Sequence, residues 1–190
     1  MEEKFSNRPL YDYTSRLRLT LKAWPVIAAA TIGLCYLTQT VAKWFGIELP
    51  DQANIEIVKR YAGWNKTFIL LCAQVLILMP ALEELLFRGL LFKLPRKLFD
   101  GRRKTEDLQE TQGTRHKAGV IAFATLSSAL FSAAHYLAQP WPDAAFIALF
   151  FFGLAQCWLY RKTGRLWCAI LNHGLFNLTN LVLMFLLPEA

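Results

Sequence analysis

The sequence predicts an all-α, polytopic membrane bundle of about five transmembrane helices, and three observations carry that prediction. Hydrophobic residues make up 55% of the 190 residues. They fall in runs of roughly twenty, the length that crosses a ~30 Å hydrocarbon layer at 1.5 Å rise per residue. The charges lie mostly between those runs, and the lysines and arginines concentrate in alternate connecting segments, as topology signals do. One domain is expected at this length.

The spans are placed at about 23–45, 64–94, 118–139, 142–160 and 166–187. The N-terminal segment 1–22 holds five basic residues, Lys4, Arg8, Arg16, Arg18 and Lys22. Its charge runs through its whole length, unlike a cleavable signal peptide, so the first span is expected to stay in the mature protein. The first loop sets Lys59 and Arg60 against Glu48, Asp51 and Glu56. The second, about 95–117 with Lys93 just before it, is the only long hydrophilic stretch and is strongly basic. The third loop has no lysine or arginine, the fourth has Arg161, Lys162 and Arg165, and the tail has only Glu189. The positive-inside rule then predicts a multi-pass protein of the cell membrane, with its N-terminus and basic loop cytoplasmic and its C-terminus outside. Trp24, Trp44, Trp64, Trp141, Trp158 and Trp167 each fall at an expected span end, where indole rings favour the interface.

The net charge of +7 does not imply nucleic acid, because the basic residues collect at the ends of spans. The implied partner is the bilayer itself. Cys35, Cys72, Cys157 and Cys168 sit inside apolar runs without a CxxC pair, and read as small apolar helix residues.

The chemistry lies within the spans. The second contains Glu83, Glu84 and Arg88. A charge at the centre of a span costs ~2.5–3.5 kcal/mol on insertion scales, so such residues face the bundle interior and mark function. Glu84 and Arg88, one turn apart, share a face and are expected to pair. Glu83 points about 100° away and is left free for chemistry. Pro80 precedes the acids and frees a backbone carbonyl one turn earlier. The packing alternative is a salt bridge that only pins helices together, which explains Glu84 and Arg88 better than it explains Glu83. The third span carries Phe131 and His135, with Ser128 and Ser132 on the stripe of His135. The fifth carries His173, Asn177 and Asn180 at i, i+4 and i+7. The site is expected between helices 2, 3 and 5.

The three patterns EExxxR (Glu83, Glu84, Arg88), FxxxH (Phe131, His135) and HxxxN (His173, Asn177) occur in that order on successive motif-bearing spans. Together they resemble the CPBP family of intramembrane endopeptidases, which includes the CAAX prenyl proteases and bacterial relatives linked to bacteriocin maturation and immunity. The resemblance covers roughly residues 70–187. The chain departs from the prenyl-protein proteases in having about five spans where they have more. The resemblance implies Glu83 as the catalytic acid/base, His135 holding and activating a water, and His173 with Asn177 stabilising the oxyanion. Glu84 and Arg88 would buttress the site. It further implies no cofactor or metal, and a membrane-bound or lipid-anchored protein or peptide as substrate.

Read from the residues alone, other chemistries stay open. Glu83, His135 and His173 could hold a catalytic zinc with water in the fourth position, although HExxH is absent. A Ser132–His135 nucleophilic pair is poorly aligned at i, i+3. A proton relay or transporter would use the same buried acids, but no inverted repeat is visible. A non-catalytic scaffold or bacteriocin-immunity protein of the same fold is the remaining alternative, and dependence of activity on Glu83 separates it from the enzyme.

Overall fold

The computed structural model describes residues 12–49, 60–63, 65–93, 109–135 and 145–186, with 109–117 as backbone alone. Trp64, Trp141 and residues 95–108 of the basic loop lie outside these. Among the described residues there are five helical rods and no strand: α1 (Tyr13–Trp44), α2 (Lys66–Phe92), α3 (Gln109–His135), α4 (Ala145–Thr163) and α5 (Leu166–Leu186). The helical membrane bundle read from the sequence is the fold. By length and composition α1, α2, α5 and the Ala118–His135 part of α3 can cross a membrane. Helix α4, at the place of the fourth expected span, packs against α1, α3 and α5.

Helix α1 starts on Asp12, whose carboxylate accepts the Ser15 N–H at 2.8 Å. That backbone hydrogen bond holds the Asp12 carboxyl below the usual carboxylate range. The buried residues of α1 are Arg16, Thr20, Ala23, Ile27, Ala28 and Thr31, which spacings of three and four place on one face. Packing therefore begins before the apolar run does. The cause is the register with α5. Tyr13 stacks on Trp167 with ring centroids 5.0 Å apart, and Trp24 Nε1 donates to Thr179 Oγ1 at 3.0 Å.

These two pairs make α1 and α5 parallel, with the contact levels ~16–18 Å apart along the axes. Trp24 and Trp167 thus stand at different levels along the paired helices. The Trp24 indole N–H is satisfied by a helix–helix bond. The same register carries the last ~18 Å of α1 past the described end of α5, where Tyr36, Leu37 and Trp44 are exposed.

The turn between α4 and α5 is tight. Gly164 adopts φ 67° and donates its N–H to Tyr160 O at 2.8 Å, the left-handed helix ending that glycine accepts without a Cβ penalty. The antiparallel pairing of α2 with α5 follows from Phe68 against Phe185 at one end and Gly89 beside Leu166 at the other.

Two π-helical stretches, Gln74–Leu78 and Leu85–Phe92, flank the α-helical turn Met79–Glu84 that holds the acids. Met79 N–H bonds Gln74 O, five residues back. In that register residue 80 would donate to Val75 O, but proline has no N–H. Asn177 of α5 fills the place, donating from Nδ2 to Val75 O at 2.8 Å. The carbonyl that the sequence expects Pro80 to free is therefore answered by a neighbouring helix. Gly174 lets α5 come this close, since a Cβ there would lie 2.5 Å from Leu76 O.

Gly174→Ala should consequently force α2 and α5 apart, at the ~1–3 kcal/mol typical of overpacking. Gly33→Ala meets nothing within 4 Å and should be neutral or stabilising, because it removes backbone entropy from the unfolded chain. Thermal melting of the two purified variants in detergent checks this contrast.

Candidate active site

Glu84 and Arg88 are fully buried, and Arg88 Nη1 lies 3.1 Å from Glu84 Oε1. Nη1 nevertheless makes no hydrogen bond in the angular sense, so this contact is Coulombic and the guanidinium is aimed elsewhere. Arg88 Nη2 donates to Gly153 O of α4 at 3.2 Å, and its guanidinium carbon sits 4.5 Å from the centroid of the Phe131 ring. A cation on an aromatic face is stabilised by the ring quadrupole, more so when desolvated. The expected pairing of Glu84 with Arg88 is present.

The second acid is not free in the way its angular offset suggests. His173 stands between the two carboxylates, with Nδ1 2.9 Å from Glu84 Oε1 and Nε2 3.6 Å from Glu83 Oε2. Against a carboxylate the nearer ring nitrogen donates, so Nδ1 carries a hydrogen and Nε2 faces Glu83. Glu83 keeps 21% side-chain exposure while Glu84 has none. One acid is enclosed by partners, and the other opens outward.

Phe131 joins the histidines. Its ring lies 4.7 Å from His135, 5.8 Å from His173 and 5.3 Å from Phe87, and it is fully buried. The aromatic residue of FxxxH is thus a plate touching Arg88 and both imidazoles. His135 Nδ1 lies 2.9 Å from Phe131 O, a backbone acceptor that places the hydrogen on Nδ1 and leaves Nε2 as the acceptor. Asn177 sits one turn beyond His173, with one amide N–H engaged by Val75 O.

The structure therefore brings Glu83, Glu84, Arg88 and His173 into direct contact and attaches His135 through Phe131. Among the described residues no three His, Cys, Asp or Glu side chains are grouped to hold a metal ion. Ser132 Oγ donates to Phe146 O at 2.7 Å, so its hydroxyl is turned to α4 and not to His135.

The part that α4, which bears none of the three motifs, plays at the site was missed by sequence reasoning, although the helix itself was expected. Phe152 packs against His173 with centroids 5.0 Å apart, Gly153 receives Arg88, and Gln156 Nε2 donates to Asn172 Oδ1 at 3.2 Å. The available signal was Gln156, a lone amide in an otherwise apolar run.

Residues 65–179 match the family model described as Type II CAAX prenyl endopeptidase Rce1-like. No curated protein and no solved structure matches the chain. The match spans 115 of the 190 residues (65 through 179) and contains both acids, Arg88, Phe131, both histidines and Asn177. A helical membrane bundle built around that set agrees with it, and the chain belongs to the Rce1-like type II CAAX prenyl endopeptidases, a family of membrane-embedded proteases.

Proposed function

We propose that the protein hydrolyses a peptide bond of a membrane-bound or lipid-anchored peptide or protein, using a water activated by Glu83 and no metal. The observation that carries this reading is the convergence of Glu83 and Glu84 on His173 inside an apolar bundle, with Glu84 enclosed and Glu83 partly open. In the proposed reaction His135 Nε2 orients a water beside Glu83. Glu83 takes a proton from that water as its oxygen attacks the scissile carbonyl carbon. The oxyanion is stabilised by an N–H at His173 Nε2, with Glu84 holding the other ring nitrogen, and by the second N–H of the Asn177 amide. Glu83 then returns the proton to the leaving nitrogen as the C–N bond breaks. Glu84 and Arg88 hold His173 in place.

We further propose that water reaches the site from the cytoplasmic side. Carried along α5, the register of the Tyr13–Trp167 and Trp24–Thr179 pairs sets His173 level with about residue 18 or 19 of α1. That level lies among the basic residues Arg16, Arg18 and Lys22 and short of the apolar run. The positive-inside rule assigns those residues to the cytoplasmic end.

The direct test compares membrane proteins and peptides from cells carrying the wild type or Glu83→Gln. Cleavage products present only with the wild type support the reading, whereas identical profiles favour a non-catalytic scaffold.

In a peptidase assay Glu83→Gln and His135→Ala should each lose at least ~10²-fold in rate while accumulating normally in the membrane. His173→Ala should lose at least as much in rate together with some folded protein, because it also strips a partner from buried Glu84. Full activity in any of them removes that residue from the catalytic set. Glu84→Ala and Arg88→Ala should instead lose folded protein, since breaking a buried pair costs ~3–5 kcal/mol by leaving one charge uncompensated. Detergent melting temperatures equal to the wild type would show that this pair carries no such weight. Activity should survive EDTA and zinc-specific chelators; loss on chelation with recovery on added zinc would reinstate a metal mechanism.

A further inference from the structure

We infer that Gln156 of α4 and Asn172 of α5 form a positioning pair that sets the rotation of α5, and through it the aim of His173. This inference rests on the peptidase reading, within which neither residue belongs to the three motifs. Both side chains are fully buried, and they are joined by the Gln156 Nε2 to Asn172 Oδ1 bond at 3.2 Å. Phe152, Gly153 and Gln156 occupy i, i+1 and i+4 of α4, so one face of that helix meets the site three times. Phe152 covers the His173 ring, Gly153 O receives Arg88, and Gln156 grips the residue next to His173.

Net stability is a poor reason for this pair. Gln156 Oε1 and Asn172 Nδ2 are buried without a hydrogen-bond partner, and unpartnered buried amide atoms are unfavourable. Replacing both partners of such a bond by apolar groups of similar shape is commonly neutral or stabilising. What an amide pair adds and an aliphatic contact does not is direction. Asn172 and His173 are neighbours about 100° apart around α5, so restraining one restrains the other. A rotation of about 10° moves an atom ~6 Å from the helix axis by ~1 Å. His173 Nε2 already stands 3.6 Å from Glu83 Oε2, and a misplacement of ~1 Å in an active site can cost 10²-fold in rate.

The experiment measures kcat and KM of purified Gln156→Met, Asn172→Leu and the exchanged double variant Gln156→Asn with Asn172→Gln. In parallel, NMR of protein carrying ¹⁵N-histidine, with the His173 signals assigned through His173→Gln, reports the imidazole directly. The expected result is a kcat loss of ~10–100-fold in each single variant. KM should stay within about twofold and melting temperature should be equal or higher. The His173 ring signals should shift, and the exchanged pair should recover most of kcat. Wild-type kcat with an unshifted His173 signal in both single variants overturns the inference. Loss of folded protein that accounts for the loss of activity overturns it too, by making the pair structural. If the wild type itself shows no peptidase activity, the reading beneath the inference fails and NMR alone decides the pair. A shifted His173 signal in Gln156→Met then supports positioning, and an unshifted one rejects it.

Discussion

Glu84 and Arg88 are both withdrawn wholly from solvent, and each charge removed from water costs several kcal/mol unless the surrounding bundle answers it. Four of the five helices take part in that answer. The pair itself lies on α2. Helix α3 lays the Phe131 ring against the guanidinium, α4 offers the Gly153 carbonyl, and α5 brings His173 to Glu84. Each contact is directional, so satisfying one charge pair fixes how α2, α3, α4 and α5 stand relative to one another. Helix α1 closes the bundle from behind, packing on α4 and α5.

The same constraint separates the two acids. Glu84 spends its Oε1 on Arg88 and His173 and has no exposure. Glu83 points to the other side of the turn, meets the far nitrogen of the same imidazole at longer range, and keeps some exposure. Adjacent carboxylates thereby acquire different environments, the usual way for one to hold a site together while its neighbour handles protons. His173 is the link, and its two nitrogens are distinguished by which acid each one faces.

Backbone irregularity positions this turn. The π-helical stretches on either side of Met79–Glu84 add a residue to each local turn, and π turns recur at functional sites for this reason. Pro80 leaves Val75 O without its helical donor, and Asn177 supplies one from α5. The asparagine of HxxxN therefore has a structural duty besides any part in catalysis. Gly174, between His173 and Asn177 in the same motif, allows the close approach that both contacts require.

Relations within one helix were legible in the sequence. The apolar runs announced the rods, the i, i+4 spacing announced the Glu84–Arg88 pair, and Pro80 announced a freed carbonyl, because each follows from the 3.6-residue period and the chemistry of one segment. Relations between helices were not. That His173 would bridge Glu83 and Glu84, that Asn177 would turn to Val75, that α4 would back the site, and that Trp24 would meet Thr179 all depend on helix register and rotation. In a membrane the lipid is as apolar as the helix surfaces, so the hydrophobic pattern does not say which faces meet. Small residues and a few polar side chains decide it instead. The sequence by itself determined the helices and the ionisable residues they carry; only the tertiary structure decided which of those residues face one another, since that choice rests on contacts between segments some ninety residues apart, such as Glu84 and His173.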